Sequence, residues 1–90
     1  MIRVIIYDPM VESRVPATVP ETAAMQALIP ALIGRINKPK MNERGDMISY
    51  MLQKREPGGI RQLRPNETLA SAGVTEDEEL TLTYKIVPGQ

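Results

Sequence analysis

Met25-Gln26-Ala27-Leu28-Ile29-Pro30-Ala31-Leu32-Ile33-Gly34-Arg35-Ile36 is the stretch that decides the fold. Met25, Leu28, Ile29, Leu32, Ile33 and Ile36 recur at i, i+3 and i+4, the rhythm of one apolar stripe on a helix. Pro20-Glu21-Thr22 leads in, and Thr22 is the expected N-cap, its hydroxyl accepting from a free N–H of the first turn. Pro30 removes one hydrogen bond, to the carbonyl of Gln26, and crowds that turn. A kink or an early end is expected there, unless packing outweighs a penalty of roughly 3 kcal/mol. Gly34 or Asn37 can supply a left-handed C-cap.

The segments around the helix alternate with period two instead. Ile2, Val4 and Ile6 are expected to face inward, with Arg3, Ile5 and Tyr7 outward. Asp8-Pro9-Met10 reads as a turn, because Pro fixes φ and Asp bonds back to the backbone. From Ser13 to Val19, Val15, Ala17 and Val19 point inward, and Pro16 demands an unpaired edge. After the helix, Asn37 to Asp46 is a polar, mobile loop in which Glu43 and Asp46 offset Lys38, Lys40 and Arg44. Ile48, Tyr50 and Leu52 then face the helix, Glu56-Pro57-Gly58-Gly59 makes a hairpin turn, and Ile60 to Leu63 returns as a short strand. Leu69 to Ala72 is a short helical turn ended by Gly73. Thr75 to Glu79 is a solvated acidic turn, and the last strand puts Leu80, Leu82 and Tyr84 inward. The class is α+β in ββαββ order: a mixed sheet of four to five strands on one amphipathic helix, a single domain over residues 1–90.

Composition removes much chemistry. Ninety residues hold one small core. With 11 basic and 11 acidic residues the formal charge is zero, so no bulk attraction draws nucleic acid or an anionic membrane. No apolar run nears the ~20 residues of a membrane span, and no signal peptide is legible. Direct membrane insertion is not expected, and the expected location is cytoplasmic. Without Cys or His, thiol catalysis, disulfides, the commonest general base and the usual zinc ligands are absent. No cofactor and no metal site are expected. Aromatic content is 3%, so the core must be aliphatic, and the six methionines read chiefly as core filler.

Two stretches carry a resemblance. One is Val15-Pro16-Ala17-Thr18-Val19-Pro20 leading into Leu28-Ile29-Pro30-Ala31-Leu32-Ile33. The other is Gly45-Asp46 before Tyr50-Met51-Leu52, then Leu69-Ala70-Ser71-Ala72-Gly73-Val74 and Leu80-Thr81-Leu82. With the ββαββ order they resemble the ubiquitin-like β-grasp superfamily, and within it the YukD-like branch. That branch includes small cytosolic proteins of type VII secretion systems and the cytosolic N-terminal domain of a membrane component of those systems. The resemblance implies a non-enzymatic protein-interaction module of a bacterial type VII secretion system, with a secretion-system component as partner.

The alternative is a protein modifier or sulfur carrier working with an activating enzyme. A modifier needs a flexible tail ending in Gly-Gly, so that its terminal carboxylate can be adenylated and passed to a thiol. This sequence ends Val87-Pro88-Gly89-Gln90, and its Gly58-Gly59 pair is explained by the hairpin. Conjugation is therefore disfavoured, as it is for the YukD-like branch, which generally lacks that tail. Ubiquitin's binding face is an exposed Leu-Ile-Val patch. The matching outward positions here are mostly polar, and the expected contact surface is Ile5, Tyr7, Met51, Arg55 and Lys85. Tyr, Met and Arg are enriched at the energetic centres of interfaces. Glu76 to Glu79 lacks the alternating ligands and central Gly of a calcium loop, and Gly34 to Lys38 lacks the second Gly and the Lys-Ser/Thr ending of a phosphate loop.

Overall fold

The computed structural model describes residues 1–88. The elements are β1 (Ile2–Asp8), β2 (Ser13–Val19), α1 (Met25–Arg35), β3 (Met47–Glu56), β4 (Gly59–Gln62) and β5 (Glu79–Val87). The strands form one sheet in the order β2-β1-β5-β3-β4. β1 and β5 run parallel at its centre, and the other neighbours are antiparallel. This is an α+β β-grasp: the helix of the β2–β3 connection packs on one face of the mixed sheet.

The period-two reading places the inner face correctly at the sheet centre. Val4, Ile6, Val19, Leu52, Leu80 and Leu82 are buried there. Met25, Leu28, Leu32 and Ile33 of α1 close the core from the other side, with Ile29 and Ile36 packed at its margin. Leu69, Ala72 and Val74 of the turn before β5 complete it. Gly73 holds φ +76° at the end of that turn, a conformation that a side chain would strain. Pro16 lies on β2, an outer strand, as its missing N–H requires. Val15 shares the face of Ile6 by register, yet it stays 37% exposed, whereas Ala17 and Val19 further along the same strand are buried. Tyr84 shares the face of Tyr50 but is 42% exposed, near the end of β5 where the two rings meet at 6.1 Å.

Helix α1 differs from its sequence expectation at the start. Its N-cap is Ala24, with no side-chain bond, and not Thr22. The free N–H groups of Met25 and Gln26 instead donate to the carbonyls of Glu67 (2.8 Å) and Pro65 (2.9 Å). A distant loop supplies the acceptors that a capping side chain supplies elsewhere. That loop is itself braced: Glu67 accepts from Arg61 Nη1 at 2.8 and 2.9 Å and from the Arg64 N–H at 2.7 Å. Arg61 also donates to Glu56 across the β3–β4 hairpin.

The helix does not end at Pro30. It continues to Arg35, because Leu32 and Ile33 beyond the proline are buried against the sheet while Pro30 faces outward. It stops in a Schellman motif. Asn37 takes φ +57°, its N–H donates to Gly34, and the Lys38 N–H donates to Ile33. Local bonds run through the following loop. Asn42 Oδ1 accepts from the N–H groups of Arg44 and Asp46, both at 2.9 Å, and Met41 bridges Met47. β3 turns into β4 through Pro57-Gly58, with Glu56 opposite Gly59. The Gly-Gly pair thus lies in the hairpin. Gly89 and Gln90, on which the reading of the tail rests, lie outside the described residues.

Candidate protein-contact face

The sheet face away from α1 is built by the residues that alternate with the core. On β1 these are Arg3, Ile5 and Tyr7, on β3 Ser49, Met51, Gln53 and Arg55, and on β5 Glu79, Thr81, Thr83 and Lys85. Register sets their rows. Tyr7, Thr81, Gln53 and Gln62 line up across four strands, Ile5 lies opposite Glu79, Met51 opposite Thr83, and Ser49 opposite Lys85. All five residues expected at the contact surface therefore share one face. They are not one continuous patch. Thr81 and Thr83 of β5 stand between Tyr7 and Met51, two strand spacings or about 10 Å apart. Ile5, Tyr7 and Met51 are half-buried, and Arg55 and Lys85 are exposed.

Charge organises the β1 side of this face. The Arg14 guanidinium lies 4.2 Å from the centre of the Tyr7 ring and donates to Glu79 Oε1 at 2.7 Å. This pair spans β1 between β2 and β5. Arg3 donates to both carboxylate oxygens of Asp77, at 2.5 and 2.9 Å, and its own N–H donates to Glu76. Hydrogen bonding with Asp77 and Glu79 respectively holds Arg3 and Arg14 above their ordinary range. The Asp77 carboxyl is held below its own, first by the bond from Arg3. Lys54 pairs with Glu78 at 3.1 Å. The turn at 75–79 is solvent-exposed as expected, but three of its four acids pair with cations on β1, β2 and β3.

The sequence reading passes over Arg14, Glu79 and Ile60 on this face. Arg14 alternates with Val15 and Ala17, so strand parity carries its signal. Ile60 is 61% exposed on β4 opposite Arg55, and the two border a shallow hollow of about 340 Å³ with Glu78, Glu79 and Thr81. The methionines also depart from expectation. Met25 is buried core, whereas Met1, Met10, Met41 and Met47 are exposed and Met51 is half-buried on the outer face. A face of Thr, Gln, Tyr, Met, Arg and Lys offers hydrogen bonds and cation–π contacts to another surface.

No protein-family model matches the chain, and no curated protein matches it. Solved structures do. The ubiquitin-like domain of EccD5 from Mycobacterium xenopi superposes with a TM-score of 0.65 at 19% identity, covering 93% of each chain. A structure described under the words "Molecular Mimicry of SUMO promotes DNA repair" superposes with a TM-score of 0.64 at 12% identity, over 91% of this chain and 89% of that one. At these identities the likeness speaks for the fold. Strand order, helix placement and near-complete superposition agree: the chain has the ubiquitin-like β-grasp fold.

Proposed function

We propose that this chain is a non-enzymatic ubiquitin-like module of the YukD-like kind, acting in the cytoplasm within a bacterial type VII secretion system. It binds a protein component of that system through the outer sheet face, with Ile5, Tyr7, Met51, Arg55 and Lys85 in contact. The observation that supports this most is the end-to-end likeness to the EccD5 ubiquitin-like domain, a type VII secretion module, over 93% of both chains. The outer face adds to it, since its side chains suit contact with another protein. Among the described residues, no helix is long and apolar enough to cross a membrane.

The test is affinity capture of the tagged protein from its own cells, under native and under denaturing conditions, read by intact mass. The proposal expects the free mass after denaturation and a secretion component in the native eluate. Adducts that survive denaturation through the C-terminus would establish a modifier instead.

A further inference from the structure

The sheet carries an open stretch of edge beside a groove, and the two belong together. β4 pairs with β3 only from Gln53 to Glu56. One residue further back, Leu52 accepts from the Leu63 N–H, and at the other end the Ile48 N–H donates to Lys40. Backbone groups of successive strand residues point alternately to either side. The even-numbered residues of β3 therefore face away from β5, and Tyr50 between Ile48 and Leu52 does too. Among the described residues, nothing donates to the Tyr50 C=O or accepts from its N–H on that side. The gap from Ile48 to Leu52 is about 13 Å of strand.

A hollow of about 550 Å³ wraps this gap from both faces of the sheet. Its inner wall is apolar: Met25, Ile29 and Ile33 of α1 with Ile48, Tyr50 and Leu63. Its outer wall has Ser49 and Met51, and Lys40 and Lys85 stand on its rim. Neither lysine makes an ion pair among the described residues. Met47, 49% exposed, adds an adaptable thioether to the same rim.

We propose that this notch accepts a short extended segment of a partner protein, added as a strand to β3 at Tyr50, with apolar and acidic residues alternating. Unpaired strand edges bind strands through backbone hydrogen bonds, and alternate side chains set specificity. The segment residue opposite Tyr50 shares its inward face and meets Ile29, Ile33 and Leu63. Its neighbours point outward, on the face of Lys85, where carboxylates fit, while Lys40 stands at the Ile48 end of the gap. A second sheet cannot enter, because the Lys40–Met41 segment and β4 border the gap on either side; a single strand of about three paired residues fits the 13 Å. This surface shares Met51 and Lys85 with the outer-face contact, but it is centred on the β3 edge at Tyr50, two strands away from Tyr7.

The probe is a synthetic acetyl-Asp-Val-Asp amide, whose three residues match the gap, titrated into the full chain and followed by nitrogen–proton correlation NMR. Saturable binding is expected, with a Kd between about 10 μM and 1 mM. Shifts should centre on the Tyr50 and Leu52 amides, and exchange of the Tyr50 amide should slow. N-methylation of the central Val, which deletes the donor to Tyr50 C=O, should weaken binding by roughly tenfold or more. An acetyl-Lys-Val-Lys amide should bind worse than the acidic one, and Lys40→Glu with Lys85→Glu should reverse that order. No saturable shift up to about 1 mM, shifts confined to the Tyr7 side, or indifference to N-methylation would each overturn the proposal. The peptide arms leave the protein unaltered, so a misfolded variant cannot mask the outcome. The outer-face reading is judged separately, by the native partner and Tyr7→Asp.

Discussion

Lys38, the residue whose N–H completes the C-cap of α1, also places its ammonium on the Asp8 carboxylate at the end of β1. Asp8 is the one charged residue buried among those described, and its other oxygen accepts from the Met10 N–H at 3.0 Å. One contact thus fastens the end of the helix and the β1–β2 turn to each other. Lys38→Met leaves a buried carboxylate short of a partner and should cost about 1–3 kcal/mol. A cycle with Asp8→Asn, read by urea denaturation, should show a coupling of at least about 0.5 kcal/mol. A coupling near zero would mean that solvent serves Asp8 equally well.

Asn37 stands in the left-handed region at φ +57°. Asn37→Gly relieves that conformation and should be neutral or mildly stabilising. Asn37→Val should destabilise by about 1–2 kcal/mol, since a branched side chain clashes with the carbonyl there. Thermal denaturation of the two variants should bracket the native protein. If valine were tolerated, the Schellman cap would not be what ends α1.

Leu32 follows the exposed Pro30 by two residues and is 2% exposed. Leu32→Ala should cost about 2–5 kcal/mol in lost burial and cavity. A loss below about 0.5 kcal/mol would mean that the second half of the helix does not sit on the sheet.

Acid should act through Glu67 and Asp77. Glu67 is held below its ordinary 4.5 by the bonds from Arg61 and then from the Arg64 N–H, and Asp77 below its 3.8 by the bond from Arg3. A lowered folded value means that the unfolded chain takes up protons first. The stability these groups contribute is therefore complete above their unfolded values and drains as pH falls through the folded ones. Glu67→Gln should flatten the fall in stability between about pH 5 and about pH 3. Because Glu67 braces the loop that caps α1, the variant should also speed exchange of the Met25 and Gln26 amides. An unchanged acid slope would detach Glu67 from the linkage.

Much of the fold is legible in local pattern. Alternation places Ile2, Val4 and Ile6, the helical stripe picks out Met25, Leu28, Leu32 and Ile33, and turn chemistry places Pro57-Gly58 and Gly73. The departures share a cause, which is partners remote in sequence. No window around Thr22 shows that Pro65 and Glu67 will offer their carbonyls to the helix. No acidic run shows that Arg3 and Arg14 will meet it across the parallel β1–β5 pairing. Parity also predicts direction and not depth, so Val15 and Tyr84 face inward by register while remaining partly exposed. The five outer-face residues were legible by the same parity. Their separation by β5 was not, because it depends on strand order.

The most direct measurement is the affinity of the natively captured partner for the purified chain, its Tyr7→Asp variant and its Met51→Asp variant, with a melting curve for each. Both residues sit on the outer face outside the buried core, so stability should move by no more than about 0.5 kcal/mol. Binding should fall by at least roughly tenfold in both variants with near-native melting. Undiminished binding by both variants would contradict this and remove the outer face as the contact surface.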